Sequence, residues 1–125
     1  MVTLEDYSSR LQKVLGSCAS FSITSVEEFG NMVHIVVRDN IGSDIIVMLK
    51  DSRAFGKLPM PTIFQIDDVM KKYSRILLVS FTRIDADLQE AFSNMGIEFL
   101  IKPKVEDVVK KLSEMQAQYG LQVAH

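Results

Sequence analysis

The chain reads as an α/β protein in which a mixed β-sheet, an antiparallel meander extended by a parallel β-α-β unit, is flanked by helices. Three observations predict this. Between residues 20 and 50 apolar and polar residues alternate with a period of two, interrupted by turn signals at Gly30-Asn31 and in "RDNIGS". Such alternation between short turns is the pattern of consecutive antiparallel strands. Further on, "RILLVSF" and "IEFLI" are short apolar runs separated by a stretch with helical spacing, as in parallel strands covered on both faces. Helical periodicity also opens and closes the sequence.

Taken in order, Leu4, Tyr7, Leu11, Val14 and Leu15 repeat at helical spacing and predict a first helix over about 3–17, with Gly16 helping to end it. "SFSITSVEEF" and "NMVHIVV" form two strands around Gly30-Asn31, and "DIIVMLK" (44–50) forms the third. "DSRAFGKLPMP" is a loop marked by Gly56, Pro59 and Pro61. Ile63, Ile66, Val69, Met70 and Tyr73 mark a second helix; Ile84, Leu88, Ala91, Phe92 and Met95 mark a third, stopped by Gly96. Val105, Val108, Val109, Leu112 and Met115 mark a fourth, with a tail that frays from about 118. The order α-β-β-β-α-β-α-β-α makes the last two strands parallel, joined by a right-handed crossover.

The 125 residues are 47% apolar and 24% charged, a globular composition suited to one domain over 1–125 with its own core. One cysteine, Cys18, cannot form an internal bridge, which suits a reducing compartment. No charged-then-apolar leader opens the sequence, and no apolar run approaches the roughly 18–20 residues that span a bilayer. The expectation is a cytoplasmic protein with no membrane partner. The net charge of −2 lacks the basic excess of a dedicated nucleic-acid binder, although a local patch can act alone. The clusters Lys71-Lys72-Arg75 and Lys102-Lys104-Lys110-Lys111 read as solvated helix faces.

The third strand carries the chemistry worth weighing. Alternate residues share a face, so Asp44, Ile46, Met48 and Lys50 point one way and Ile45, Val47 and Leu49 the other. With the element order and the stretch "RILLVSFTRIDADLQEAFSNMGIEFLI", this resembles the PD-(D/E)XK, or restriction-endonuclease-like, superfamily over residues 3 to about 112. Archaeal Holliday-junction resolvases and Mrr-type domains are the nearest in pattern. The resemblance implies a three-layer restriction-endonuclease-like fold. It also implies a motif: an Asp near the second meander strand and Glu-X-Lys or Gln-X-Lys on the third. The carboxylates hold a hard cation such as Mg2+ through oxygen, and metal and lysine together support in-line attack on a phosphate.

This sequence departs from that motif at the metal ligands. Lys50 matches the lysine, but Met48 stands at the Glu, and a thioether is a soft, weak acceptor. Asn31 or Met32 falls where the Asp is expected. Asp44 shares the face of Met48 but lies four residues earlier, about 13 Å away at ~3.3 Å per residue. Glu5 could stand for the first-helix Glu that some resolvases carry.

A second resemblance is to response-regulator receiver domains. "LLVSFTRIDADLQEAFSNMGIEFLIKP" matches their late segment, with Ser80, Gly96 and the Lys102-Pro103 pair. There Lys50 sits where the phosphoacceptor would be, Asp51 follows it, and Glu5-Asp6 could imitate the acidic pair. Against it, "NMVHIVVRDN" reads as strand where a receiver needs its second helix.

The other candidates have plain readings. His34 is a packed or edge strand residue and His125 is terminal; two histidines and one cysteine give no zinc spacing. Cys18 is a small core residue, and Ser80 and Thr82 end a strand without a paired base. Asp67-Asp68 are solvated charges, and "GSDIIV" is a turn into a strand rather than a phosphate loop.

The resulting expectation is a catalytically degenerate nuclease-fold protein, a structural or regulatory subunit in DNA or RNA processing. Its partners would be a second copy or another protein, with nucleic acid as a further possibility. No catalytic residue is assigned; Asp44 and Lys50 are remnant candidates. No cofactor is expected, and Mg2+ enters only if a weak metal-dependent nuclease survives. That nuclease and the receiver-like signalling module are the alternatives.

Overall fold

A computed structural model describes residues 2–123, with side chains as far as residue 118. The elements run α1 (Leu4–Gly16), β1 (Phe21–Phe29), β2 (Met32–Asp39), β3 (Asp44–Lys50), a 3-10 turn (Arg53–Phe55), α2 (Thr62–Met70), β4 (Ile76–Ser80), α3 (Ala86–Asn94), β5 (Glu98–Ile101) and α4 (Val105–Val123). The five strands form one sheet in the order β1-β2-β3-β4-β5. The first three are antiparallel; β4 is parallel to β3 and β5 to β4. This is the mixed sheet expected from the sequence, with helices on both sides.

The period-two alternation sorts the core into two halves. Ile35, Val37, Ile45, Val47, Leu49, Leu77 and Val79 meet Leu11 and Leu15 of α1 and Val108 and Leu112 of α4. Val36, Ile46, Met48, Ile76 and Leu78 meet Ile66 of α2 and Leu88 and Phe92 of α3. All five residues of β4 are buried, as a strand covered on both faces requires. Each such aliphatic side chain contributes about 1.5–3 kcal/mol on burial. Cys18 packs, half-buried, against the α1–α4 side.

Local chemistry fixes the connections. Thr3 caps α1, its Oγ1 accepting from the Asp6 amide at 3.0 Å. The β1–β2 hairpin pairs Phe29 with Met32 around a two-residue turn. Gly30 takes φ 59 there, a region open to glycine at the first turn position. Thr24 is the extra residue of a bulge between Ile23 and Ser25. Gly96, at φ 76, ends α3 and lets the Ile97 amide reach back to the Phe92 carbonyl at 2.9 Å.

The expected loop 51–61 contains the short 3-10 turn Arg53–Phe55. Helix α4 extends to Val123, and Glu114, Met115, Gln116, Ala117 and Gln118 are strong helix formers. His125 lies outside the described residues. Strand β2 occupies Met32–Asp39, where a receiver domain needs a helix, so the architecture departs from that alternative. Among the described residues, no helix is long and apolar enough to cross a membrane.

Candidate functional site

Register places each candidate. In the β2–β3 ladder Met32 faces Lys50, His34 faces Met48 and Arg38 faces Asp44. On the other side Met48 pairs with Leu78, and Lys50 with Ser80. Asp44 and Lys50 therefore occupy opposite ends of β3, about 20 Å apart at ~3.3 Å per residue. Asp44 forms an ion pair with Arg38 at 3.0 Å, its side chain 34% exposed. It is a surface charge at the β2–β3 turn and does not meet Lys50.

Lys50 is brought to Asn31. Its side chain is only 6% exposed, and its Nζ lies 3.4 Å from Asn31 Oδ1, a long and weak hydrogen bond. The Asp51 amide donates to the Asn31 carbonyl at 2.9 Å, tying the two chain segments together. Met32, the alternative to Asn31 for the motif Asp, faces Lys50 directly in the ladder. Between His34 and Leu78 in the ladders, Met48 is 0% exposed. Glu5 lies elsewhere: it lines a shallow cleft with Glu28, Gly30 and Val33, and Val33 belongs to the α1–α4 side while Met48 belongs to the α2–α3 side.

The electrostatics follow from burial. Desolvation lowers the pKa of Lys50. His34 is also lowered by burial, with Glu27 opposing the shift; its ring packs 4.9 Å from that of Phe29 and its Nε2 has no hydrogen-bond partner. The hydroxyls of Ser52 and Thr62 are likewise buried and unpartnered. Ser80 Oγ donates to the Thr82 carbonyl at 2.7 Å and accepts from the Thr82 amide at 3.2 Å, a local turn that occupies both residues. Asp51 is gripped by Arg53 at 2.9 and 2.7 Å. That bidentate pair holds its carboxyl below the usual range although burial opposes it.

The donor set around Lys50 does not fit Mg2+. Asn31 offers one amide oxygen, Met48 is a buried thioether, and the carboxylate of the adjacent Asp51 is held by Arg53, whereas a hard cation needs several free oxygens. Among the described residues, no group of three or more His, Cys, Asp or Glu is placed to hold a metal ion.

The fold also assembles a site that sequence reading missed. Beyond the carboxyl ends of β4 and β5 lies a cleft of about 420 Å³, lined among others by Tyr7, Arg10, Arg53, Phe81, Lys102 and Lys104. Tyr7 and Phe81 meet edge to face at 4.9 Å, and the Arg53 guanidinium lies 5.4 Å from the Phe81 ring centre. The Tyr7 hydroxyl donates to the Pro103 carbonyl at 2.9 Å, and its pKa is raised by burial and by Asp107 and Glu106. The Lys102-Pro103-Lys104 triplet was the visible signal. Its partners on α1 are some 96 positions away in the chain, so spacing could not reveal them.

No family model matches the chain, and no curated protein matches it. Among solved structures it is similar to EndoMS in apo form, with 18% identity and a TM-score of 0.48, covering 78% of this chain and 47% of that one. It is similar also to an EndoMS–dsDNA2 complex, with 18% identity and a TM-score of 0.48, covering 83% and 47%. The chain therefore spans less than half the length of the structures it matches.

Proposed function

We propose that this chain is a non-catalytic module of the restriction-endonuclease-like class, working as a structural or regulatory subunit in nucleic-acid processing. The observation that carries the reading is Met48. It is wholly buried at the position where the motif needs a metal-binding carboxylate, so apolar packing fills what would otherwise be a polar, hydrated pocket. Asn31 and Met32, either of which falls where the resemblance expects the motif Asp, both lie beside Lys50, and neither offers a negative charge.

A subunit needs a surface for its partner. Phe55, Met60 and Phe64 are 69%, 57% and 70% exposed within ten positions of the chain, the kind of apolar exposure that marks protein contacts. Sedimentation across a wide concentration range tests self-association; a single monomeric species throughout would remove the second copy as partner.

Methyl NMR of the methionines during a Mn2+ titration tests the closed site. The reading predicts no selective broadening of the Met48 methyl relative to Met60, which is exposed and serves as an internal reference. Selective broadening at Met48 at low Mn2+ would mean that a metal is held beside it, and the non-catalytic reading would fail.

A further inference from the structure

We infer that the cleft beyond the carboxyl ends of β4 and β5 is a binding site for a nucleotide unit: a phosphate carried on a planar, apolar body. The inference goes beyond the proposed function and does not depend on it, because the cleft uses neither metal nor Lys50.

Two halves of the lining argue for such a ligand. Arg10, Arg53, Lys102 and Lys104 line the cleft with Glu106; Arg10 is paired with Glu106 and Arg53 with Asp51, so Lys102 and Lys104 carry its excess positive charge. This concentration of positive charge stands on a chain whose net charge is −2, so the local field departs in sign from that of the whole molecule. Val2, Phe81, Pro103 and Val105 supply an apolar wall. A bare anion has no use for that wall, and an uncharged ring has no use for the cations. The volume of about 420 Å³ falls in the range of small-molecule sites.

The cations differ in how freely they can turn to a ligand. Arg53 is fixed: it holds Asp51, donates to the Val2 carbonyl at 2.7 Å and lies over Phe81. Its charge is thus committed to Asp51, and it braces the Phe81 side of the cleft. Arg10 pairs with Glu106 at 2.9 Å, but both side chains are more than 60% exposed, and such a pair exchanges its partner at small cost. Lys102 and Lys104 have no ion-pair partner among the described residues. They are available for phosphate.

The backbone adds a second, independent sign. Lys102 adopts φ 50, the one non-glycine residue at positive φ among those described. Its amide donates to the Ser80 carbonyl at 2.7 Å, which locks the turn. Strained left-handed residues of this kind gather at ligand sites, where the surrounding structure holds them. The turn also carries the chain directly into α4 (Val105–Val123), whose first turn bears its own carboxylates, Glu106 and Asp107, with Asp107 Oδ2 accepting from the Lys104 amide at 3.0 Å.

The ligand chemistry could come from a free nucleotide or from a nucleic-acid strand, and calorimetry separates them. Wild type, the Lys102→Gly, Lys104→Gln double variant and a Lys13→Gln control are titrated with adenosine monophosphate, adenosine, inorganic pyrophosphate and an oligothymidylate bearing a terminal phosphate. Glycine accepts φ 50 without strain, so the double variant keeps its turn and its fold, checked by circular dichroism. Adenosine monophosphate should bind more tightly than adenosine or pyrophosphate. The double variant should lose at least about fivefold in affinity, as expected when charge-assisted bonds to phosphate are removed, while Lys13→Gln retains wild-type binding. An oligonucleotide that binds more tightly than the mononucleotide, with a steep salt dependence, assigns the source to a strand; equal or weaker binding assigns it to the free nucleotide. The inference is overturned if neither phosphate-bearing nucleotide binds, if pyrophosphate or adenosine matches the mononucleotide, or if the double variant loses less than about fivefold.

Discussion

Lys50→Met takes a charge out of a place that gives it little in return. The ammonium has three donors, and among the described residues its one acceptor is Asn31 Oδ1 at 3.4 Å. The side chain is 6% exposed, and burial alone accounts for its lowered pKa. Methionine has nearly the same length and no donors to satisfy. Replacing a poorly compensated buried charge with an apolar isostere is neutral or stabilising by about 1–4 kcal/mol. Losing one weak hydrogen bond offsets about 0.5–1.5 kcal/mol of that, so the expected net change runs from about zero to a gain of about 3 kcal/mol. With an unfolding entropy of about 2.1 cal/mol/K per residue, the upper end corresponds to a melting temperature higher by about 11 °C. The pH dependence gives the sign independently. A lysine whose folded pKa is depressed binds its proton less well folded than unfolded, so stability rises with pH between the lowered folded value and the ordinary 10.5. Wild type should gain on the variant as pH climbs through that window, and the difference should shrink towards pH 10. Urea denaturation at neutral and alkaline pH measures both effects. If Lys50→Met is destabilised by more than about 1 kcal/mol at neutral pH, the ammonium makes stabilising contacts that this geometry does not contain, and the reasoning fails.

Other substitutions probe the rest of the account. Asp39→Ala breaks a pair with Arg75 at 3.0 Å whose side chains are 0% and 10% exposed; it should cost about 3 kcal/mol in urea denaturation, the low end because Arg75 keeps Ser43 and the Met115 carbonyl. Burial opposes the ionised form of Asp39, but Arg75 and the Ser43 and Ile41 amides outweigh it and hold the pKa below the usual carboxylate range. Its contribution should therefore be complete above about pH 4 and lost as pH falls through the depressed folded value, a step absent from Asp39→Ala. Asp44→Ala removes an exposed partner of Arg38 and should change stability by less than about 1 kcal/mol. Phe92→Ala empties a fully buried position beside Phe99 and should cost about 3–5 kcal/mol in the same assay.

Much of the sheet was legible because strand periodicity and turn chemistry are local. "DIIVMLK" is β3 with the same bounds, and Gly30-Asn31 is the hairpin turn. The alternation that put Met48 and Lys50 on one face also holds, with Ile45, Val47 and Leu49 on the other side of the sheet. Which of Asn31 and Met32 would lie beside Lys50 stayed open in the sequence; Met32 does so in the ladder and Asn31 through its side chain. What stayed hidden depends on distant parts of the chain. "RDNIGS" read only as a turn, yet Asp39 within it holds Arg75, 36 positions on. "DSRAFGK" read as a loop, yet it supplies Arg53 to a cleft completed by α1 and the start of α4. Lys102 and Lys104 read as solvated charges because their neighbours Tyr7 and Arg10 are far away in sequence.

The central claim, that the Met48–Lys50 strand no longer supports cleavage, is tested most directly by incubating purified protein with branched, single-stranded and duplex DNA in Mg2+ and in Mn2+, with Lys50→Ala alongside. The account predicts intact DNA from both proteins with either metal. Cleavage by wild type that requires the metal and vanishes in Lys50→Ala would contradict it, because a lysine beside a buried thioether would then be part of a working metal-dependent nuclease.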